Sequence, residues 1–188
     1  MASRRPYLDL TLAELLDELA GGEPAPGGGS ALALAAAMAS SVLAMAGRVS
    51  GDGGLVAQAE ALRVRTTPLA QVDAEVYAAA LDVRERTADL RADRRDWEIG
   101  RAFADAAAAP LEIARAGADI AELAAQVAAA GDQRVVADAR AAAVLGAAAA
   151  RGAAALVAAN LTALGGDPRV AEAERLADAA ERAAARVH

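Results

Sequence analysis

The chain has 188 residues, no cysteine, a single histidine at position 188, and a formal net charge of −7 from 19 basic and 26 acidic residues. All the basic residues are arginine, 60 residues are alanine and only four are aromatic. The lack of cysteine excludes a disulfide framework, a thiol nucleophile and a thiolate metal site. The position of His188 argues against Ser-His-Asp chemistry and histidine-rich metal sites. An acidic chain with few aromatic residues lacks the basic footprint and stacking surfaces that nucleic acid requires.

The length fits one domain over residues 1–188, and an apolar fraction of 56% suffices for a real core. Alanine is the best helix former, so its excess predicts helices rather than a linker. Because alanine buries little apolar area per residue, we expect a homodimer interface to add to the apolar area that the chain buries. No targeting segment is visible, and the uncharged residues 31–46 are fewer than the ~20 that a bilayer span needs. We therefore expect a cytoplasmic protein with no membrane span, in which residues 31–46 form a long Ala-rich central helix buried on all sides.

Local signals place the first predicted helices in chain order. A capping box at residues 11–14 begins a helix that Gly21-Gly22 ends. Two prolines and three glycines make residues 23–30 a loop. Ser30 is then expected to be the N-cap of the helix over residues 31–46.

Glycines and prolines divide the rest of the chain into further helical segments, after a glycine-rich turn at residues 47–54. These segments run from 54 to about 86, kinked or split at Pro68; from about 89 to 109, capped by Thr87 or Asp89; from 111 to 130, after a break or kink at Pro110; from about 134 to 164; and from Pro168 onward, with Asp167 as N-cap. No run alternates like a strand. The predicted fold class is an all-α antiparallel bundle of roughly seven helices.

The loop formed by Pro26, Gly27, Gly28, Gly29 and Ser30 is the most unusual local feature. Three consecutive glycines leave the backbone bare, so a ligand can approach the amides closely. Amides at the N-terminus of a helix favour an anion or a polarised carbonyl. A Walker loop and a dinucleotide fingerprint are excluded, because no Gly-Lys-Ser/Thr follows and no strand precedes. The pattern favours a binding loop, and a flexible connector with a serine cap stays open as the alternative.

Two aspartates, Asp73 and Asp138, are predicted to lie inside helices among apolar residues. Aspartate is a mediocre helix former, so an aspartate in the middle of a helix suggests a functional role. A carboxylate partly desolvated in a bundle core has a raised pKa and can transfer a proton near neutrality. A solvent-facing carboxylate, or one paired with an arginine, stays open. Asn160, also among apolar neighbours, is either a ligand contact or a tie between helices.

Residues 24–31, Pro-Ala-Pro-Gly-Gly-Gly-Ser-Ala, resemble the opening of the cyclodeaminase/cyclohydrolase family. This family includes formiminotetrahydrofolate cyclodeaminases and methenyltetrahydrofolate cyclohydrolases. Weaker similarities follow in the family's order at residues 73–77, 109–114 and 136–139. The resemblance covers nearly the whole chain and implies an all-helical homodimer.

The resemblance also implies a chemistry. The substrate would be a tetrahydrofolate derivative, with Asp73 and Asp138 as catalytic acid and base and with no metal and no tightly bound cofactor. The positions expected to bind substrate are Pro26, Gly27, Gly28, Gly29, Ser30, Tyr77, Arg48 and Asn160.

The chain departs from its relatives in its basic residues. Relatives commonly carry a lysine-rich stretch where this sequence has only Arg48, and an Asn-x-Arg/Lys-x-Asn pattern of which it keeps Asn160. An anionic folate tail needs cationic partners. A divergent member that acts on another C=N or cyclic amide substrate therefore stays open, as does a non-catalytic dimeric helical bundle.

Overall fold

The structure is a computed structural model that describes residues 5–163 and 165–187, so residues 164 and 188 lie outside the described residues. The helix predicted to run to residue 164 is too long, because it ends at Asn160. Within the described part, a short 3-10 turn at Tyr7–Asp9 precedes eight α-helices, and no strand is present. The helices are α1 (Leu12–Leu19), α2 (Gly28–Ser50), α3 (Gly53–Thr66), α4 (Leu69–Arg86), α5 (Ala92–Ala106), α6 (Ala108–Ala130), α7 (Val136–Asn160) and α8 (Pro168–Ala185). The all-α prediction is confirmed. Pro68 splits the segment after residue 54 into α3 and α4, which accounts for the helix beyond the predicted seven.

Several predicted helix ends are confirmed and others are wrong. The capping box at Thr11 and the Asp167 cap before Pro168 are both present. Neither Thr87 nor Asp89 caps α5, whose N-cap is Arg91. The Thr87 hydroxyl instead donates to the Val83 carbonyl oxygen at the end of α4.

The helix after the glycine loop is longer than predicted at both ends. Its N-cap is Gly27 rather than Ser30, because the Ser30 hydroxyl is buried and donates to the Ala70 carbonyl oxygen at 2.7 Å. Its C-terminus lies at Ser50, so the predicted turn over residues 47–54 shrinks to Gly51 and its neighbour. Gly51 has φ +76°, a left-handed conformation that glycine adopts without steric cost.

The core consists largely of alanine, and its helices approach each other closely. α6 and α7 lie side by side along much of their lengths. A Cβ placed on Gly117 would lie 2.7 Å from the Gly146 carbonyl oxygen, and a Cβ on Gly146 would lie 2.9 Å from the Gly117 carbonyl oxygen. The two backbones therefore pack at a distance that only glycine permits at this crossing.

The prediction that the central helix is buried on all sides is wrong for a single chain. Met38, Met45 and Val49 on α2 are exposed, and so are Val144 and Leu145 on α7. Both helices are long and apolar enough to cross a membrane, yet about half of each is buried in the bundle, a pattern that core helices of soluble proteins also give. Because α2 and α7 pack on each other and on α6, their open sides face away from α6 together. We call this surface the α2/α7 face.

Candidate active site at the N-terminus of α2

A cavity of about 230 Å³ lies where the N-terminus of α2 meets α4, α6 and the C-terminal end of α7. Its lining comes from four stretches of chain: Pro24, Ala25, Gly27, Gly28 and Gly29; Asp73, Ala74 and Tyr77; Pro110; and Leu156, Ala159 and Asn160. The prolines and glycines before α2 bring bare backbone to one wall, and three other helices form the remainder. The arrangement is a concave, mostly apolar site with a few polar groups, which is typical of small-molecule binding.

Asp73 is the one charged side chain among the described residues that line this cavity. It lies in the second turn of α4 and is only 8% exposed. Desolvation raises the pKa of its carboxyl from 3.8 to about 6, and a hydrogen bond from the Ser30 backbone amide offsets part of the rise. The carboxyl can therefore hold or release a proton near neutral pH.

The Asp73 carboxyl lies against the first turn of α2, where the side chain of an N-cap residue would otherwise lie. Gly27, the N-cap, makes no side-chain capping bond, so the first amides of the helix need acceptors from elsewhere. The Asp73 carboxyl lies against this turn, and the nearby Ser30 amide lowers its pKa. A negative charge at a helix N-terminus is favoured by the macrodipole, which makes this a suitable place for a carboxylate despite its burial.

An aromatic pair and an amide complete the chemically distinctive part of the site. Tyr77 lies one turn after Asp73 and packs edge-on against Phe103, with ring centroids 6.1 Å apart. Asn160 is the last residue of α7 and is half-buried at the cavity wall. The site thus offers one proton-transferring group, a phenol and an amide beside bare backbone.

The structure gathers most of the substrate-binding residues predicted from the sequence. Gly27, Gly28, Gly29, Tyr77 and Asn160 all line the cavity together with Asp73. Pro26 and Ser30 are buried next to it and are not part of its wall.

Arg48 and Asp138 do not join this cavity within one chain. Arg48 lies near the C-terminus of α2, where it pairs with Glu60, about 30 Å along the helix axis from Gly28. Asp138 lies in the first turn of α7, about 33 Å along that axis from Asn160. The sequence alone could not show this separation. Arg48 and Asp138 match positions of the family pattern, but each lies at the other end of a long helix from the cavity.

Sequence reasoning also missed the apolar lining. Pro110 and Leu156 form walls, yet apolar residues in helices carry no chemical signature of a site. Within the described part of the chain, no group of three or more His, Asp or Glu side chains is arranged to hold a metal ion.

Comparisons with known proteins identify the family and support the fold. The sequence profile of the formiminotransferase-cyclodeaminase family matches residues 11–179. The chain belongs to this family. A solved structure of a formiminotetrahydrofolate cyclodeaminase from Thermotoga maritima has the same fold, with a TM-score of 0.83 and 22% identity over 97% of this chain and 96% of that one. A search of curated proteins found no match.

The range that matches the family profile contains all of the candidate site. The matched residues include the glycine loop, Asp73, Tyr77 and Asn160. Family membership points to one-carbon folate metabolism of the cyclodeaminase type.

Proposed function

We propose that this protein is an enzyme that acts on a one-carbon derivative of tetrahydrofolate, as a cyclohydrolase or a cyclodeaminase, with Asp73 as its acid/base group. The observation that carries the proposal is the buried Asp73 carboxyl, seated beside the bare N-terminus of α2 inside a cavity. The likeness to a formiminotetrahydrofolate cyclodeaminase supports the substrate class.

The proposed reactions need proton transfers and no covalent nucleophile. In ring opening of a methenyl substrate, water adds to the one-carbon atom and a bond from that carbon to a ring nitrogen breaks. One proton leaves the water and one reaches the departing nitrogen. In the cyclodeaminase reaction, the neighbouring secondary amine attacks the formimino carbon and loses its proton. The bond from that carbon to the formimino nitrogen then breaks, and this nitrogen gains a proton and leaves as ammonia.

Asp73 has the properties to move these protons. With a pKa of about 6, its carboxyl is mostly ionised at pH 7 and still acidic enough to return a proton. The bare backbone at Gly27 and Gly28 can approach a polar group of the substrate, as amides at a helix N-terminus do. We assign orientation of the substrate ring to Tyr77 and Asn160, and we expect no tightly bound cofactor.

The cavity is small and lacks basic side chains among its described lining residues. At about 230 Å³ it lies below the ~300–1,000 Å³ of typical ligand pockets, so it suits the ring part of a folate better than the whole molecule. An anionic tail would then extend outside. The same observation favours a second candidate, a smaller neutral substrate with a C=N or cyclic amide group.

Turnover measurements test the folate proposal. Purified protein is incubated with methenyltetrahydrofolate and with formiminotetrahydrofolate between pH 5 and 9, and the methenyl absorbance is followed. We expect loss of absorbance with the first substrate or gain with the second. If neither changes across this range, the folate proposal is wrong. Calorimetry then separates the remaining candidates, because a panel of small C=N compounds binds to an enzyme of that kind and not to a non-catalytic bundle.

We propose a cytoplasmic homodimer joined through the α2/α7 face. Residues 31–47 of α2 carry no charge, and the open side of α7 is likewise apolar around Val144 and Leu145. Two neighbouring helices ~35 Å long and ~10 Å wide offer roughly 700 Å², close to the ~800 Å² that each partner contributes to a standard interface. A chain of net charge −7 repels its own copy, so a surface with no acidic residue along the middle of both helices is where two copies can meet.

Met38→Asp tests the interface, because Met38 is 56% exposed on this face and touches no part of the cavity. We expect a dimer for the wild type and a monomer for the variant in sedimentation experiments. A wild-type monomer would overturn the proposal. Leu12→Asp is the matched control, since Leu12 is also exposed, at 69%, but lies on α1.

In such a dimer, Asp138 could reach the cavity only from the second copy. Mixing Asp73→Asn and Asp138→Asn subunits decides whether it does. If each site combines the two aspartates from different chains, the mixture regains about a quarter of the wild-type rate, because half of the dimers are hybrids with one intact site. No recovery removes Asp138 from the proposal.

A further inference from the structure

Gly29 lies so close to Asp73 that a side chain at this position would occupy the carboxyl's place. A Cβ built on Gly29 would lie 2.2 Å from both carboxyl oxygens and 2.3 Å from the carboxyl carbon. Real Cβ atoms do not approach other heavy atoms this closely, so an alanine here forces the carboxyl to move.

The neighbouring glycines carry no such constraint. A Cβ on Gly28 would meet nothing within 4 Å, and one on Gly27 would touch only the Pro24 carbonyl oxygen at 3.5 Å. Backbone conformation does not explain Gly29 either, because the described glycines with positive φ are Gly51, Gly131 and Gly166. The triplet therefore divides into two open positions and one that is filled by Asp73.

We propose that Gly29 is a positioning residue, whose missing side chain lets the Asp73 carboxyl lie against the first turn of α2. This inference rests on the proposed role of Asp73 in catalysis. It also changes the expected role of Gly29, which the sequence suggested as ligand-binding backbone.

Ser30 joins α2 to α4 beside this carboxyl. Its hydroxyl donates to the Ala70 carbonyl oxygen at 2.7 Å, one turn before Asp73 on α4. This hydrogen bond holds the two helices together at the height of the carboxyl. Gly29 leaves the space next to it free for the carboxyl.

The first test is a stability cycle that does not depend on any substrate. Gly29→Ala is compared in the wild-type background and in the Asp73→Ala background, in which the colliding carboxyl is absent. We expect Gly29→Ala to lower Tm by about 2–4 °C when Asp73 is present, and by clearly less in the Asp73→Ala background. Equal effects in both backgrounds overturn the inference.

The second test follows the carboxyl itself. Carbon-13 NMR titration of Asp73 is recorded for the wild type, Gly28→Ala and Gly29→Ala. We expect the midpoint to move in Gly29→Ala and to stay in Gly28→Ala, where the new methyl group enters open space. A midpoint that is unchanged in both variants overturns the inference, as does one that moves equally in both.

The third test uses the proposed reaction. Displacing an acid/base group lowers kcat by about 100-fold or more, so we expect this loss in Gly29→Ala with KM nearly unchanged. Gly53→Ala is the activity control, because its Cβ also enters open space and it lies outside the cavity. A loss confined to KM overturns the positioning role. If the wild type turns over no folate, the proposed function fails, while the stability cycle and the titration still decide the place of Gly29.

Discussion

Replacing Asp73 by asparagine is expected to stabilise the protein at neutral pH. The buried carboxyl has a pKa of about 6, against 3.8 for an ordinary aspartate. Well below pH 4 it is protonated in both the folded and the unfolded chain. Between about pH 4 and pH 6 the unfolded chain loses its proton first, so the free energy of unfolding falls as the pH rises. Above pH 6 the folded chain carries a buried charge that asparagine lacks.

The size of the effect follows from the difference in pKa. The pKa in the folded chain is about 6 and in the unfolded chain 3.8, and at 1.36 kcal/mol per pKa unit this difference corresponds to about 3 kcal/mol. Asparagine has nearly the same shape as aspartate, and its side-chain oxygen can accept the hydrogen bond from the Ser30 amide. In a chain of this size, 3 kcal/mol raises Tm by roughly 6–12 °C.

Denaturant unfolding of wild type and Asp73→Asn, measured every half unit from pH 4 to pH 8, tests this expectation. Taking the difference between the two proteins removes the titrations that they share. We expect the difference to be smallest at pH 4 and to rise to about 3 kcal/mol at pH 7.5. A difference that is constant with pH would refute the raised pKa of Asp73. A difference that falls as the pH rises would mean that folding lowers this pKa instead.

Three other substitutions test separate parts of the structure. Gly117→Ala places a methyl group 2.7 Å from the Gly146 carbonyl oxygen, so we expect a loss of about 1–3 kcal/mol in denaturant unfolding; stability equal to wild type would contradict the close packing of α6 and α7. Ser30→Ala removes the buried hydroxyl that donates to the Ala70 carbonyl oxygen. We expect the loss of this hydrogen bond to lower the free energy of unfolding by about 1–3 kcal/mol. An unchanged stability would mean that the hydrogen bond does not stabilise the fold. Tyr77→Phe keeps the edge-on packing against Phe103, so its stability should stay within about 0.5 kcal/mol of wild type; a larger change would show that the hydroxyl has a structural role.

The fold was largely predictable because it follows from local chemistry. Alanine abundance, the capping box at Thr11 and the Asp167-Pro168 start each act within a few residues, so they can be recognised in the sequence. Ser30 shows the limit of such reasoning. Its hydroxyl is an acceptable N-cap in isolation, but a carbonyl oxygen 40 residues away is its partner in the folded chain.

The sequence pointed to two parts of the candidate site and not to its boundaries. Asp73 could be found as an interior helical aspartate, and the glycine loop as bare backbone before a helix. That the two meet depends on how α2 and α4 pack, which no local pattern encodes. The same reason explains Arg48, whose sequence position suggested a substrate contact although about 30 Å of helix separates it from the loop.

The alanine-rich composition also has a consequence for specificity. With most core positions filled by methyl groups, the cavity has few side chains that could discriminate between ligands. The polar groups of the described lining are the backbone at Gly27 and Gly28 and the side chains of Asp73, Tyr77 and Asn160, and we expect recognition to depend on them. This is consistent with a site that binds a ring system and transfers protons.

The kcat of Asp73→Asn with the folate substrate that the wild type turns over tests the central claim most directly. We expect a loss of at least about 100-fold, in a protein that retains its helical circular-dichroism signal and is more stable than wild type at pH 7.5. Full activity of the variant would contradict the assignment of Asp73 as the acid/base group.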